Sequence, residues 1–211
     1  MKSYITVMRE AADEVIINKS RFIGRAAPVH TPEEALSFLA RVRAAHPDAT
    51  HNCYAYIIGE NAGIMRYSDD GEPGGTAGMP IIEVMKNRHV VDCAVVVTRY
   101  FGGVLLGAGG LVRAYTKGCV LALNAAGLCE MFPTESWLCE VPYPLWDKVQ
   151  HTLKALPVRL KDTDFGAAVN FTLEVKTTDS DTVRQVLTQS TDARMEMLRE
   201  GEECMAWEIP E

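Results

Sequence analysis

Asp69, Asp70 and Glu72 place three carboxylates within four residues, inside Ser68-Asp69-Asp70-Gly71-Glu72-Pro73-Gly74-Gly75-Thr76-Ala77-Gly78. Such a group repels itself unless it is solvated, bound by backbone N–H groups or balanced by cations. It suits a solvated turn with Asp70-Gly71 at its apex, ligation of a divalent metal by oxygen, general acid–base work, or pairing with arginines across a groove. The spacing is not that of a helix–loop–helix calcium loop, and no downstream acid completes an oxygen shell, so metal ligation is the weak alternative. Pairing with Arg99 and Arg113 is the preferred one. His51, at the start of an apolar segment, is a candidate to titrate in such a groove or to serve structure alone.

Those arginines flank Arg99-Tyr100-Phe101-Gly102-Gly103-Val104-Leu105-Leu106-Gly107-Ala108-Gly109-Gly110-Leu111-Val112-Arg113, with five glycines in nine positions. That density carries an entropic cost a plain connector need not incur. No Gly-Lys-Ser/Thr follows, and Val112 stands where the dinucleotide fingerprint wants its third glycine, so neither nucleotide motif applies. What remains is a strand, a flexible loop and a helix whose first free N–H groups can hold an anion. The alternative is that the glycines serve tight turning and close helix–sheet packing. On the anion reading, replacing Arg99 and Arg113 by alanine weakens binding with almost no loss of stability. A side chain at Gly109 then obstructs the ligand, or strains the turn if that residue has positive φ. No Ser-His-Asp or Cys-His order has supporting context, so no nucleophilic catalytic residue is assigned.

The whole chain narrows the partner classes. Its 211 residues are 47% apolar, enough for one large or two small domains. The net charge of −7 is uneven: residues 1–130 hold 13 basic and 13 acidic residues, net zero, and residues 131–211 hold 8 and 15, net −7. No strongly basic footprint exists, which disfavours double-stranded DNA. The opening residues have no secretory apolar core, and no run approaches a membrane span, so a soluble cytoplasmic protein is expected. The six cysteines stand singly, never as C-x-x-C, so reduced buried thiols are expected, without metal or cofactor.

The elements that must position these residues are read from periodicity. Tyr4–Met8 is strand-like, and Val15–Val29 is apolar around Lys19-Ser20-Arg21. Thr31-Pro32-Glu33-Glu34 starts a helix with Thr31 as cap. His51–Gly59 reads as a strand followed by the acidic loop, Ile81–Arg88 as a helix, Cys93–Arg99 as a buried strand and Leu111–Ala126 as a helix closed by Gly127. The strands His51–Gly59 and Cys93–Arg99 should pair and deliver both signatures to one end of the sheet. A composition shift near Met131–Thr134 divides a 1–130 domain from a 134–211 domain. The second reads as strand Ser136–Tyr143, helix Leu145–Leu156, strands Val158–Thr163 and Ala167–Thr177, helix Thr182–Gln189 and strand Met195–Trp207, the β-α-β-β-α-β order of ferredoxin-like folds.

Thr50-His51-Asn52-Cys53, the Asp-Asp-Gly-Glu-Pro and Gly-Thr-Ala-Gly-x-Pro of 68–80, and the Arg-Tyr-Phe-Gly-Gly-x-x-Leu-Gly-x-Gly-Gly-Leu-Val-Arg-Ala-Tyr ending at Tyr115 resemble the signature of the IMPACT family, in its bacterial YigZ-like branch. The resemblance covers the whole chain. It implies an α+β protein whose N-terminal βαβ domain is like the C-terminal domain of a small-subunit ribosomal protein and domain IV of the translocation elongation factor, followed by a ferredoxin-like βαββαβ domain. Both likenesses point toward translation. Eukaryotic members restrain the amino-acid-starvation kinase by competing for its ribosome-associated activator, and they carry an additional N-terminal domain; their partner is not carried over. The expected function is regulatory binding of RNA, the ribosome or a translation-associated protein, without covalent catalysis. The competing reading is an enzyme acting on a phosphorylated small molecule, with the glycine loop as cradle and Asp69, Asp70 or Glu72 as acid–base groups. The expected binding residues are His51, Asp69, Asp70, Glu72, Thr76, Arg99, Tyr100, Gly102, Gly103, Gly107, Gly109, Gly110 and Arg113.

Overall fold

A computed structural model describes residues 3–209 as an α+β chain that separates into two compact units. Among these, one comprises 3–131 together with 206–209, and the other Phe132–Met205. In the first unit, strand β1 (Tyr4–Val7) is followed by β2 (Ala11–Ile17) and β3 (Ser20–Pro28), a hairpin turned at Asn18 and Lys19, both at positive φ. Helix α1 (Pro32–Ala45) begins where the sequence puts it. The Thr31 hydroxyl accepts the Glu34 N–H at 3.2 Å, and Pro32 occupies the first turn. Strands β4 (His51–Ile58) and β5 (Ile64–Ser68) form a second hairpin. Helix α2 (Gly78–Asn87), strand β6 (Cys93–Tyr100) and helix α3 (Gly107–Ala126) complete the unit, together with the first residues of β7 (Leu128–Val141), which pair with β1.

The main sheet is antiparallel with the order β2-β3-β6-β4-β5. Strand β6 lies at its centre, and from Cys93 to Arg99 every residue is buried, as its Ala-Val-Val-Val run requires of a strand covered on both faces. One face packs Phe22, Ala26, Cys53, Ala55, Val95 and Val97 against α2 and α3; the other packs Ala27, Tyr56, Ile58, Ala94 and Val96 against α1. The approach of α3 is very close: a Cβ at Gly24 of β3 would lie 2.0 Å from the Gly118 carbonyl oxygen of α3. Only glycine fits there, because backbone faces backbone.

The three largest differences from expectation are a missed strand and the starts of two elements. Strand β5 lies between β4 and the acidic loop, a short half-polar strand whose Ile-Met-Arg-Tyr tract gives too little alternation to be recognised alone. Helix α3 starts at Gly107, not Leu111, so Gly107, Gly109 and Gly110 are its first turn, and Arg113 is in the second. Glycine is a poor helix former, but α3 is held by Leu111, Ala114, Tyr115, Cys119, Ala122 and Leu123 in the core, and that burial outweighs propensity. Strand β7 begins at Leu128, not Ser136, and runs without a break through Met131–Thr134.

In the second unit the remainder of β7 is followed by α4 (Tyr143–Leu153), β8 (Val158–Phe165), β9 (Val169–Lys176), α5 (Ser180–Ser190) and β10 (Glu196–Glu208). Strand β7 pairs with both β10 and β9, and β8 lies beyond β9, the ferredoxin-like arrangement of a β-α-β-β-α-β chain. Trp137, Phe171, Leu173 and Val175 meet Val149 and Leu187 of the helices in a separate core. Among the described residues, no helix is long and apolar enough to cross a membrane.

Candidate functional site

Cross-strand register builds the site. Arg99 stands opposite His51 on one side and Phe22 on the other, so all three share a face at the same end of the sheet. The acidic loop returns over that end. Glu72 Oε1 lies 2.6 Å from Arg99 Nη1 and accepts the Tyr115 hydroxyl at 2.7 Å. The ion pair is almost wholly enclosed, with the Arg99 side chain 6% and the Glu72 side chain 3% exposed. Burial raises the Tyr115 phenol far above its ordinary value and its acidic neighbours add to that, so it stays a proton donor to Glu72. The Arg99 guanidinium also lies 5.4 Å from the ring centroids of both Phe22 and Phe101.

His51 completes this floor. Its Nδ1 is 2.8 Å from the Asp70 carbonyl oxygen, which can only accept, so Nδ1 carries the proton and Nε2 is left toward Glu72 Oε2 at 3.9 Å. Above the floor opens a groove of about 390 Å³, lined by Thr50, His51, Gly71, Glu72, Pro73 and Arg99 on one side and by Phe101, Leu105, Leu106, Gly107, Ala108 and Leu111 on the other. The two signatures therefore meet. The N-terminus of α3 ends in this groove with no side-chain cap and no acid in its first turn.

The remaining expected residues divide between support and surface. Asp69 does not reach the groove: its carboxylate accepts the backbone N–H groups of Gly75, Ala77 and Gly78 at 2.8, 3.0 and 2.8 Å and so caps α2 from a distance. Burial alone would raise this carboxyl, but the three N–H donors outweigh it and hold it below the usual carboxylate range. A depressed pKa contributes stability that is present above the unfolded value near pH 4 and is lost as pH falls through the folded value. Replacing Asp69 with asparagine should therefore flatten the loss of stability on acidification below about pH 4, read by urea unfolding from pH 3 to 7. An unchanged acid limb would show that these bonds carry no linkage.

Asp70, at positive φ, binds Arg43 at 2.7 Å and the Asn52 N–H at 2.7 Å, so α1 supplies the cation expected from Arg113. Thr76 is buried and donates to the Pro73 carbonyl at 2.6 Å. Tyr100, one residue after Arg99, points to the opposite face, where its hydroxyl meets His46 Nδ1 at 2.9 Å. Gly102 donates to Ser20 Oγ at 3.2 Å, and a Cβ there would lie 2.0 Å from the Lys19 carbonyl carbon, so this glycine serves packing. Gly103 has positive φ and open surroundings, Gly107 has positive φ and lines the groove, and Gly110 sits tightly on Leu106. Gly109 is not at positive φ, and its nearest neighbour in the path of a Cβ is the Arg113 guanidinium at 3.9 Å. Arg113 itself is exposed and, among the described residues, forms no ion pair. The expected joint neutralisation of one anion by Arg99 and Arg113 is corrected accordingly: the acidic loop folds over the strand end and takes the Arg99 charge.

Sequence reasoning missed Tyr115, Thr50, Phe101 and Leu105 as parts of the site. Tyr115 is four residues after Leu111 on a helix, and that spacing was enough to place both on the buried face beside the glycine loop. Burial pushes the Cys53 thiol up to about 12, and Cys53 donates to the Asp69 carbonyl at 3.0 Å, so it is no nucleophile. Among the described residues, no cluster of histidine, cysteine and acidic side chains has the arrangement to hold a metal.

Residues 18–123 match the Impact N-terminal domain, and 139–194 match a domain of unknown function, DUF1949. The chain is 39% identical over 96% of its length to IMPACT family member YvyE of Bacillus subtilis, covering 93% of that protein. The chain belongs to the IMPACT family. It is also 36% identical to IMPACT family member YigZ of Escherichia coli over 78% of the chain and 79% of the relative. Protein IMPACT of Bos taurus is 37% identical over 42% of this chain and 29% of its own length. A crystal structure described only as that of a hypothetical protein matches with a TM-score of 0.60 and 31% identity over 96% of this chain and all of the other. Thus the family domain spans β3 to α3 and contains the entire groove.

Proposed function

We propose that this chain is a translation-linked regulator that binds a protein partner through the groove between the acidic loop and the start of α3, without covalent chemistry. The observation that carries this reading is the character of the lining. Its sole cation, Arg99, is neutralised by Glu72, and its outer wall is apolar, with Leu105 85% and Phe101 46% exposed. Large exposed apolar side chains beside a groove mark interaction sites, and a site with no net positive charge gives RNA phosphates little to bind. Family membership and the sequence's likeness to translation proteins supply the translation link.

The test is cosedimentation of the full chain with ribosomes over graded salt, comparing the unaltered protein with Leu105→Glu. Association through protein contacts should fall less than tenfold per tenfold rise in salt, and Leu105→Glu should abolish most of it, because a charge in an apolar contact is desolvated without a partner. A steep slope, at roughly 0.7–0.9 per phosphate contacted, would assign the interaction to RNA instead.

A further inference from the structure

We infer that the free edge of strand β10 takes a basic, extended polypeptide segment as an added strand, at a second surface independent of the groove. The sheet of the second unit sets the conditions. Trp137, Cys139 and Val141 of β7 point into the core, as do Met195 and Met197 at the start of β10. Alternation therefore puts Leu138 and Glu140, and Glu196, Leu198, Glu200 and Glu202, on the opposite face, where Leu138 is 41% and Leu198 65% exposed. On β8 and β9 that face is closed by the chain itself, since Lys161 and Arg159 pair with the buried Glu174. Strand β10 pairs with β7 along one edge, and among the described residues no strand pairs with the other. Such an edge presents backbone N–H and C=O groups able to bind a further chain.

Charge selects the occupant. The thirteen residues of β10 carry five glutamates and one arginine. That arginine, Arg199, is already held by Glu135 at 3.2 Å and by Glu202 at 2.6 Å, so Glu196, Glu200 and Glu203 form no ion pair among the described residues. A second copy of the chain would bring the same glutamates opposite one another, and nucleic-acid phosphates would meet the same repulsion. A strand with lysine or arginine at alternate positions would instead set each cation beside a glutamate, and an aliphatic residue among them would meet Leu198. Gly201 points the same way. Nothing lies within 4 Å of its Cβ position and its φ is not positive, so neither packing nor turning inside the fold requires a glycine there. A glycine within a strand often marks the close approach of another backbone, and this one lines a groove of about 270 Å³ with Thr134, Ser136, Glu200, Glu202 and Glu203.

The probe is the C-terminally amidated peptide N-acetyl-Thr-Lys-Thr-Lys-Thr-Val-Thr-Lys-Thr, compared with its counterpart carrying glutamate for every lysine, each titrated into the isotope-labelled full chain. Added antiparallel, it sets its lysines opposite Glu202, Glu200 and Glu196 and its valine opposite Leu198. The basic peptide is expected to bind at least tenfold more tightly than the acidic one, and to weaken at least tenfold between about 50 mM and about 0.5 M salt. Bound, it should slow hydrogen exchange at alternate amides within Glu196–Glu203, those directed away from β7. Glu200→Lys, at an exposed position, is expected to weaken the basic peptide at least tenfold while urea unfolding stays unchanged. Leu105→Glu, in the other unit, is expected to leave its binding untouched, so failure of the groove as a partner site does not affect this test. Equal binding of the two peptides, binding without the alternate protection, or absence of binding would each overturn the inference and leave the glutamates as guards of a bare edge. Self-association of the chain that protects the same amides would overturn it in favour of a second copy. Protection of those amides by oligouridylate, or loss of peptide binding in Leu105→Glu, would overturn it too.

Discussion

Arg99→Ala is expected to lower the folding stability of the chain by about 3–5 kcal/mol, because it leaves the carboxylate of Glu72 enclosed with no counter-charge. The sequence alone suggested the opposite, since an arginine at the edge of a glycine loop reads as a surface ligand whose removal leaves the fold untouched. Burial reverses that expectation: the side chain is 6% exposed and lies between Phe22 and Phe101 as well as on Glu72. Replacing both partners by apolar residues should recover much of the loss, since an ion pair removed whole leaves no orphan charge. Urea unfolding of Arg99→Ala and of Arg99→Met/Glu72→Leu measures both. A loss under 1 kcal/mol for the single variant would mean that water reaches Glu72, contrary to the enclosed floor described for the groove.

The second large effect is expected at Gly24. Its Cβ would meet the carbonyl oxygen of Gly118 at 2.0 Å and the carbonyl carbon at 2.8 Å, so Gly24→Ala must move helix α3 away from strand β3. Overpacking of this kind destabilises by about 1–3 kcal/mol and by more where the obstacle is backbone, which cannot change rotamer. Gly109→Ala is the contrasting case: it meets only the tip of Arg113 at 3.9 Å at ordinary φ, and should be neutral or stabilising by up to about 1 kcal/mol through a less flexible unfolded chain. Thermal unfolding of both variants decides the matter, and equal destabilisation would refute the distinction between packing glycines and exposed ones.

The glycine-rich tract shows where sequence reasoning stops. Its density announces that something special happens between β6 and α3, but not which glycine does what. Gly102 is required by the Lys19 carbonyl, more than eighty residues earlier in the chain, and Gly24 by Gly118; such approaches are properties of tertiary assembly and leave no local pattern. The start of helix α1, by contrast, was legible to the residue, because cap, proline and acids act within one turn. The strands flanking the site were legible as well, and pairing β4 with β6 was enough to foresee that both signatures share one end of the sheet. What the sequence did not reveal is the division of labour among the acids. Asp69, Asp70 and Glu72 look alike in a string, yet they serve a helix end, an α1 arginine and a strand arginine, because the turn at Asp70 and Gly71 sends neighbouring side chains in different directions.

The central place of β6 also sets the order of events during synthesis. Hairpins β2-β3 and β4-β5 can each form from adjacent residues as they leave the ribosome, but they do not pair with one another; both wait for β6, which inserts between them. From the end of β5 at Ser68 to the start of β6 at Cys93 the ribosome needs seconds at ordinary elongation rates. During that interval two apolar hairpin faces lie open, and no binding groove exists, because His51, Glu72, Arg99 and Gly107 belong to segments not yet joined. The nascent chain is at its most vulnerable to misassociation just before its centre arrives.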